Sequence, residues 1–555
     1  MIAYSPLQRR NSPSLVVAVI ALVAIASFWL RTGLDMYPLD DGWVSLSVTD
    51  MKFDFLDFFF TNSRELRNLP YIIAKSIEDD GFRAINLILI GIDALTFLGL
   101  FRISLFLLPG RTVASFMVAG LSMLFPNDHT MFWLGAFGVN LSYLLLVWGT
   151  VVALAAIDRQ RPWLHALGLV LLFCGIRTYP GYIFMPLIVV SGFLYKRHGG
   201  AGYLRGFARH ILPQWLTFAV ALAPTVQGMV QGRGREGRVA HFDVQDVVAG
   251  YREMFANLLW RWMDDLWPQA SWLMAYAFLF ALLFIVAVVL LRRAQRRGDQ
   301  PPLHAFRPFV LAAICLSIVL LCYLPYAVSD IRFDHGRALI ACRFGWVLLV
   351  VALVDRWQMQ FGRPTTARAL CAVGVALLTL FGLNRLSNFD ARHERSIYQR
   401  VMLADLAAAL PCPPAETPIV LIVRQDEFSK EKGGKMLVNR PQFLLRALYA
   451  NDKVKGYTVS NWMLGRHGRI DPSDGTIIYR RRDLGPAPLL LHYSFDSGIR
   501  HAAQARFRVG RPYQWTTVHG SPLPASQCHP APLVRELSRE RDGYLDHLGL
   551  PTRMP

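Results

Sequence analysis

The chain has 555 residues, 54% of them hydrophobic and only 17% charged, with a mean hydropathy of +0.32. That composition excludes a water-soluble globule of this length, because apolar runs of about 18 residues or more read as membrane helices. The net charge of +19 does not point to nucleic acid, since many basic residues lie in short clusters at the ends of apolar runs.

In chain order, the predicted spans are Ser14–Leu34, Ala84–Leu108, Thr112–Pro126, Val139–Ile157, Trp163–Gly175, Tyr182–Tyr195, Ile211–Val230, Ala270–Leu291, Phe306–Val328, Ala338–Val354 and Ala367–Leu386. Several are short or broken by Gly and Pro, so the expectation is about eleven spans. Basic clusters recur at every second loop: Arg9–Arg10, Arg159–Arg161, Lys196–Arg197 with Arg205 and Arg209, Arg292–Arg293 with Arg296–Arg297, and Arg356 with Arg363 and Arg368. Positive charge concentrates on the cytoplasmic side of membrane proteins, so the N-terminus is expected inside and the C-terminus outside. Ala24-Ile25-Ala26 resembles a signal-peptide cleavage site, but it lies inside the first apolar run, which continues through Leu30.

The first external loop, 35–83, opens with an acidic pair, Asp40-Asp41, in PLDDG. A carboxylate there can take a proton from an attacking hydroxyl or hold a divalent cation against phosphate. Asp41-Gly42 is also turn chemistry. Neighbouring side chains on extended backbone point in opposite directions, which predicts different roles for the two residues. Phe53–Phe60 and Leu66–Ile77 alternate apolar and polar residues, as interfacial helices do, or as a pair of hairpin segments packed on the helix bundle would. Glu78-Asp79-Asp80 reads as a solvated charge run. His129, in PNDHTMFW, reads as a turn residue near a membrane edge.

A second external loop, about 231–269, passes from GRGREGR into an amphipathic stretch with Trp260, Trp262 and Trp267. The third, 329–343, carries Asp330, Arg332, Asp334, His335, Arg337 and Arg343 on the face where few positive charges are expected. Arg343 falls just inside the tenth span. An ionisable group there is costly and marks a functional site by default, and the forked guanidinium suits phosphate. An ion pair with Asp330 or Asp334 is the structural alternative. Arg64, Arg67 and Arg177 are further external candidates, Arg177 also fitting a side chain that snorkels to the interface.

From about 387 the apolar runs shorten. Tyr398, Met402, Leu406 and Leu410 recur every four residues, predicting an amphipathic helix. Pro418–Val423, Thr476–Tyr479 and Leu489–Tyr493 read as strands, with a helix at Gln442–Ala450. The expected fold is mainly α: a polytopic helical membrane domain, 1–386, followed by a small C-terminal α/β domain, 387–555, on the exported side. Five cysteines, Cys174, Cys315, Cys322, Cys342 and Cys371, fall in or beside spans as packing residues. Cys412 and Cys528 lie in the exported region, where they either pair or stay free. No Walker A loop, dinucleotide-binding glycine motif, Gly-x-Ser-x-Gly elbow or Cys-x-x-Cys pattern occurs.

With these features the chain resembles the GT-C glycosyltransferases, particularly the protein O-mannosyltransferase and aminoarabinose-transferase group and bacterial membrane glucosyltransferases of surface polysaccharide. YPLDDGW is similar to the family's first-loop acidic motif, with Asp40 and Asp41 at its acidic positions. TNSRELRNLPYII is similar to the Arg-containing segment later in that loop and maps Arg64. GRALIACRFGWVLLVVAL is similar to the late-span segment whose arginines contact donor phosphate and maps Arg337 and Arg343, with His335 beside them. The resemblance implies a polyprenyl-phosphate sugar as donor and a glycan, glycolipid or protein as acceptor. Transfer would take place at the outer face of a bacterial inner membrane, with Asp40 or Asp41 as base and inversion at the sugar. Some members use a divalent cation and others do not. A non-catalytic carrier or assembly protein for lipid-linked glycans is the alternative reading. A ligase of the O-antigen type is less well matched, because the soluble region here is C-terminal.

Overall fold

The computed structural model describes residues 11–30, 33–34, 58, 66, 68–77, 82–126, 137–230, 244–263, 273–296, 306–327 and 338–409, then 445–446, 448–449 and seven strands. The helices are α1 (Asn11–Ser27), α2 (Leu69–Ile77), α3 (Phe82–Leu107), α4 (Thr112–Met123), α5 (Phe137–Arg159), α6 (Pro162–Thr178), α7 (Phe184–Gly206), α8 (Leu212–Val230), α9 (Val244–Leu259), α10 (Leu273–Arg296), α11 (Pro308–Ala327), α12 (Ile340–Phe361) and α13 (Pro364–Ala409).

Each predicted span falls on one of these helices. Five, in α3, α5, α10, α11 and α13, are long and apolar enough to cross a membrane, or six if α6 and the start of α7, bent by 117°, form one broken span. The other helices fall short of that measure for visible reasons. α1 has 17 residues and α4 has 12, while α12 carries Arg343, Asp355 and Arg356. Between the spans, α2 and α9 are the amphipathic elements expected in the first two loops. α2 buries Pro70, Tyr71 and Ala74. α9 is fastened to α11 by Tyr251 donating to the Leu320 carbonyl at 2.8 Å and Tyr323 donating to the Gly250 carbonyl at 2.9 Å.

Contacts sort the helix termini into two ends. At one, Arg111 pairs with Asp355 (3.3 Å), Arg197 with Asp158 (3.3 Å), and Arg292 donates to the Ala367 carbonyl (3.2 Å). Arg197 and Arg292 belong to the predicted basic clusters, and Asp158 and Asp355 directly precede two others, while Arg111 lies in the turn between α3 and α4. At the opposite end, Trp29 meets Phe389 edge-on (centroids 4.6 Å), Asn86 donates to the Leu34 carbonyl (2.7 Å), and Tyr326 lies against Tyr179 and Tyr182. Turns between successive helices are set locally. Pro109-Gly110 joins α3 to α4, with Gly110 at φ 78° and the Arg111 N–H on the Leu108 carbonyl at 3.1 Å, the geometry of a type II turn.

The sequence reading separated a last span ending at Leu386 from an amphipathic helix around Tyr398–Leu410. The two are one helix, α13, of 46 residues starting at Pro364. Proline is well placed at a first helical position, and no proline follows it to break the helix. At 1.5 Å per residue it is about 69 Å long, far more than a bilayer requires. Beyond it, β1 (Ile419–Val423) pairs in parallel with β2 (Gly456–Ser460) and β6 (Leu489–Phe495), and β6 pairs antiparallel with β7 (Ala505–Gly510). A second sheet joins β3 (Gly468–Ile470), β4 (Ile477–Tyr479) and β5 (Arg482–Asp483) antiparallel. The unbroken apolar run of β1, IVLIV, suits a central parallel strand with a neighbour on each edge. Cys412 and Cys528 lie outside the described residues.

The α5–α6 pair shows how closely the bundle packs. A Cβ on Gly168 would sit 3.3 Å from the Ala153 nitrogen and 3.4 Å from the Gly149 carbonyl. Small residues allow such backbone approach in membrane bundles. Gly168→Leu is expected to force the helices apart at a cost of about 1–3 kcal/mol. Its apparent melting temperature in detergent should fall, while Leu167→Ala, at an exposed position on the same helix, should leave it unchanged.

Candidate functional site

The strongest concentration of buried charge lies at the end opposite the basic loops. Arg343, on the first turn of α12, is 1% exposed, and Arg385, on α13, is 0% exposed. Arg385 reaches the last residue of α4 and Arg343 the segment that follows it. The Arg343 guanidinium lies 5.7 Å from the centre of the Phe125 ring, and Arg385 Nη2 donates to the Met123 carbonyl at 3.2 Å. Met123 is the last residue of α4, so Arg385 meets the negative end of that helix dipole.

An aromatic group holds this arrangement. Phe125 lies edge-on to Phe381 (5.7 Å) and Trp262 (6.1 Å), and Trp262 lies edge-on to Phe381 (5.4 Å). Phe381 and Arg385 are one turn apart on α13, which places ring and guanidinium on the same face. Trp262 follows α9 in a short 3-10 turn, so the second loop contributes directly to the site. A desolvated cation over an aromatic face contributes about 2 kcal/mol or more. Buried guanidinium charge is costly unless matched by anions or hydrogen-bond acceptors, and its forked donors complement phosphate oxygens.

A second wall at the same end is built of tyrosines. Tyr182 packs against Tyr143 (5.3 Å), Tyr179 (6.0 Å) and Tyr326 (6.1 Å), and Tyr326 donates to the Tyr179 hydroxyl oxygen at 3.2 Å. The break between α6 and α7 at Tyr179–Ile183 sets two of these positions, Tyr179 and Tyr182. Ser142 holds the break, its hydroxyl lying 2.8 Å from the Gly175 carbonyl and 2.7 Å from that of Tyr179. On α9, burial together with the nearby Cys342 and Cys322 thiols raises the Tyr251 hydroxyl above its usual pKa, keeping it a neutral donor.

Of the sequence-predicted residues, Arg343 is placed at the core of the site. Arg177 is not an interface snorkeller. It is 5% exposed and grips the Phe58 carbonyl through Nε (2.9 Å) and Nη2 (2.6 Å), tying the first loop to the bundle. Asp40, Asp41, Arg64, Arg67, Glu78-Asp79-Asp80, His129, Asp330, Arg332, Asp334, His335 and Arg337 lie outside the described residues. Among the described residues no group of three or more His, Cys, Asp or Glu side chains is arranged to hold a metal ion. The sequence reading missed Arg385. The available signal was an arginine inside the predicted span Ala367–Leu386, the same signal that marked Arg343. It also read Trp262 only as an interfacial aromatic.

These features define a polytopic helical membrane-type protein with a buried two-arginine, aromatic site at one end of the bundle. No family model and no curated protein matches the sequence. Among solved structures, the crystal structure of ArnT from Cupriavidus metallidurans bound to undecaprenyl phosphate aligns over 86% of this chain and 92% of that chain. The identity is 13% and the TM-score 0.32. A likeness at that score is too slight to assign either a fold or an activity.

Phe125 is the ring that Arg343, Trp262 and Phe381 share. Phe125→Ala is expected to destabilise by about 3–5 kcal/mol, the range for a buried phenylalanine truncated in a core. The apparent unfolding temperature in detergent should drop clearly, and Phe125→Leu, which retains bulk, should lose less.

Proposed function

We propose that the protein is a membrane glycosyltransferase that takes a sugar from a polyprenyl-phosphate donor and gives it to an envelope acceptor. One observation carries the reading: two fully buried arginines converge on Met123–Phe125 at the end from which the acidic first loop departs. Such a pair suits a phosphate that remains attached to a lipid, because the site lies within the bundle and the prenyl chain has apolar helix surface to follow.

In this reading Arg343 and Arg385 hold the donor phosphate, joined by Arg337, His335 and Arg64 from the adjoining loops. Arg337 precedes Arg343 by six residues, and Asp40 follows Leu34, itself tied to α3, by six residues. An extended chain of that length spans at most about 20 Å, and the reading takes Asp40 and Asp41 to act at this end of the bundle. One of them takes the proton from the acceptor hydroxyl as its oxygen attacks the anomeric carbon. The bond from that carbon to the phosphate oxygen breaks on the opposite face, and lipid phosphate leaves with the electron pair, giving inversion. The arginines stabilise the negative charge that grows on the leaving phosphate, where preorganised donors are most effective.

The topology belongs to the same proposal. With the basic end in the cytoplasm, about eleven crossings place the site at the outer membrane face and the sheet region, 387–555, beyond it. A lipid-linked donor fits that face, since the sugar is carried there already activated.

Asp40→Asn and Asp41→Asn separate this reading from a carrier or assembly role. In membranes supplied with labelled polyprenyl-phosphate sugar, one of the two variants is expected to lose sugar transfer by about 10²–10⁴-fold at normal protein levels. Undiminished transfer by both variants would remove the carboxylate role. Lipid-linked sugar moved or bound by the wild-type protein, with its phosphate bond intact, would favour the carrier.

A further inference from the structure

The opposite, basic end of the bundle holds a second polar cluster that the proposed reaction does not use. His165, near the start of α6, and His210, in the π-helical turn Phe207–Ile211 between α7 and α8, meet edge-on with ring centroids 5.1 Å apart. Neither His165 Nε2 nor His210 Nδ1 has a hydrogen-bond partner. Gln214, one turn beyond His210, is 0% exposed, and both its amide oxygen and its amide nitrogen lack partners. A buried amide left unbonded costs roughly 1–3 kcal/mol, and such groups in native proteins commonly mark an absent water, ion or ligand.

The electrostatics say what kind of ligand. Burial, with His165, Arg209, His198 and Arg197 around it, pushes His210 down to about 4, so the site is hostile to further positive charge. Asp158 is engaged by Arg197 through Nη1 on Oδ1 at 3.3 Å, leaving the exposed Arg209 beside the two imidazoles. The π-turn itself shifts the helix register where His210 and Gln214 are presented, and such turns are frequent at functional sites.

The surroundings say where that ligand comes from. Trp163 and Trp215, 57% and 46% exposed, flank the cluster on α6 and α8, and tryptophan favours the headgroup level of a membrane. Below them both helices present apolar side chains, including Val170 and Val220, on their outer faces. We propose that His165, Arg209, His210 and Gln214 form a binding site for the phosphodiester headgroup of an anionic phospholipid in the leaflet at the basic end. Its acyl chains would lie along α6 and α8. The amide and imidazole nitrogens donate to phosphate oxygens, and Arg209 supplies the charge. Basic pockets between membrane helices recognise anionic headgroups in this way.

The test uses the full chain in a neutral detergent, titrated with phosphatidylglycerol, phosphatidylcholine or inorganic phosphate while the apparent melting temperature is followed. Phosphatidylglycerol is expected to stabilise the wild-type protein saturably, and the other two are not. Arg209→Gln should weaken the phosphatidylglycerol response about five-fold. Gln214→Leu should weaken it about ten-fold, yet melt no lower than wild type without lipid, because it removes an unbonded buried amide. A purely packing role for Gln214 would lower the lipid-free melting temperature and leave the lipid response intact. Equal stabilisation by phosphatidylcholine, full stabilisation by inorganic phosphate alone, or wild-type lipid responses in both variants would overturn the proposal. None of these readouts depends on sugar transfer.

Discussion

The arrangement of this protein turns on the burial of guanidinium groups at one end of an apolar bundle. A charge taken out of water is tolerated only where the surrounding structure answers it with acceptors, aromatic faces or anions. Arg343 and Arg385 are answered by an aromatic face and a helix-end carbonyl, drawn from the end of α4, the turn after α9, α12 and α13. Those contacts in turn fix how the second loop sits on the bundle. Arg177 does the same for the first loop through the Phe58 carbonyl. Arg177 thus ties the first loop directly, while Trp262 of the second loop is held through Phe125 and Phe381, the rings beside Arg343 and Arg385.

The two ends of the bundle treat charge differently. At the basic end, several of the positive groups are exposed or half-exposed, and two are matched by carboxylates, Asp158 and Asp355. At the opposite end Arg177, Arg343 and Arg385 are buried, alongside exposed arginines such as Arg252 and Arg261 of the second loop. Among the described residues, buried arginine is thus concentrated at one end of the bundle. Each end has its own cluster: two buried arginines with aromatic rings on one side, and histidine, glutamine and arginine on the other.

Much of this architecture was legible in the sequence. Apolar runs are strong signals, and every predicted span falls on a helix; β1, β4 and β6 coincide with the apolar runs read as strands. Arg343 stood out because a charge at the edge of an apolar run has few innocent explanations. Arg385 carried the same signal and was passed over, since a basic residue near a span terminus also reads as an anchor. The aromatic group could not be read at all. Phe125, Trp262 and Phe381 are separated by more than a hundred residues each, and nothing local distinguishes them from the other rings. The length of α13 was missed for a related reason. The change in composition near 387 looks like a boundary, whereas helix continuity depends on the absence of a break. Strands β2, β3, β5 and β7 are too short or too polar to stand out from their surroundings.

The central claim is that Arg343 and Arg385 recognise a lipid-borne phosphate. It is tested most directly by measuring binding of a polyprenyl phosphate and of the matching unphosphorylated polyprenol to the purified protein by native mass spectrometry. The account predicts retention of the phosphate form over the alcohol, and loss of that preference in Arg343→Gln and Arg385→Gln variants that remain folded. Equal retention of the two lipids by the wild-type protein, or an unchanged preference in both folded variants, would contradict it.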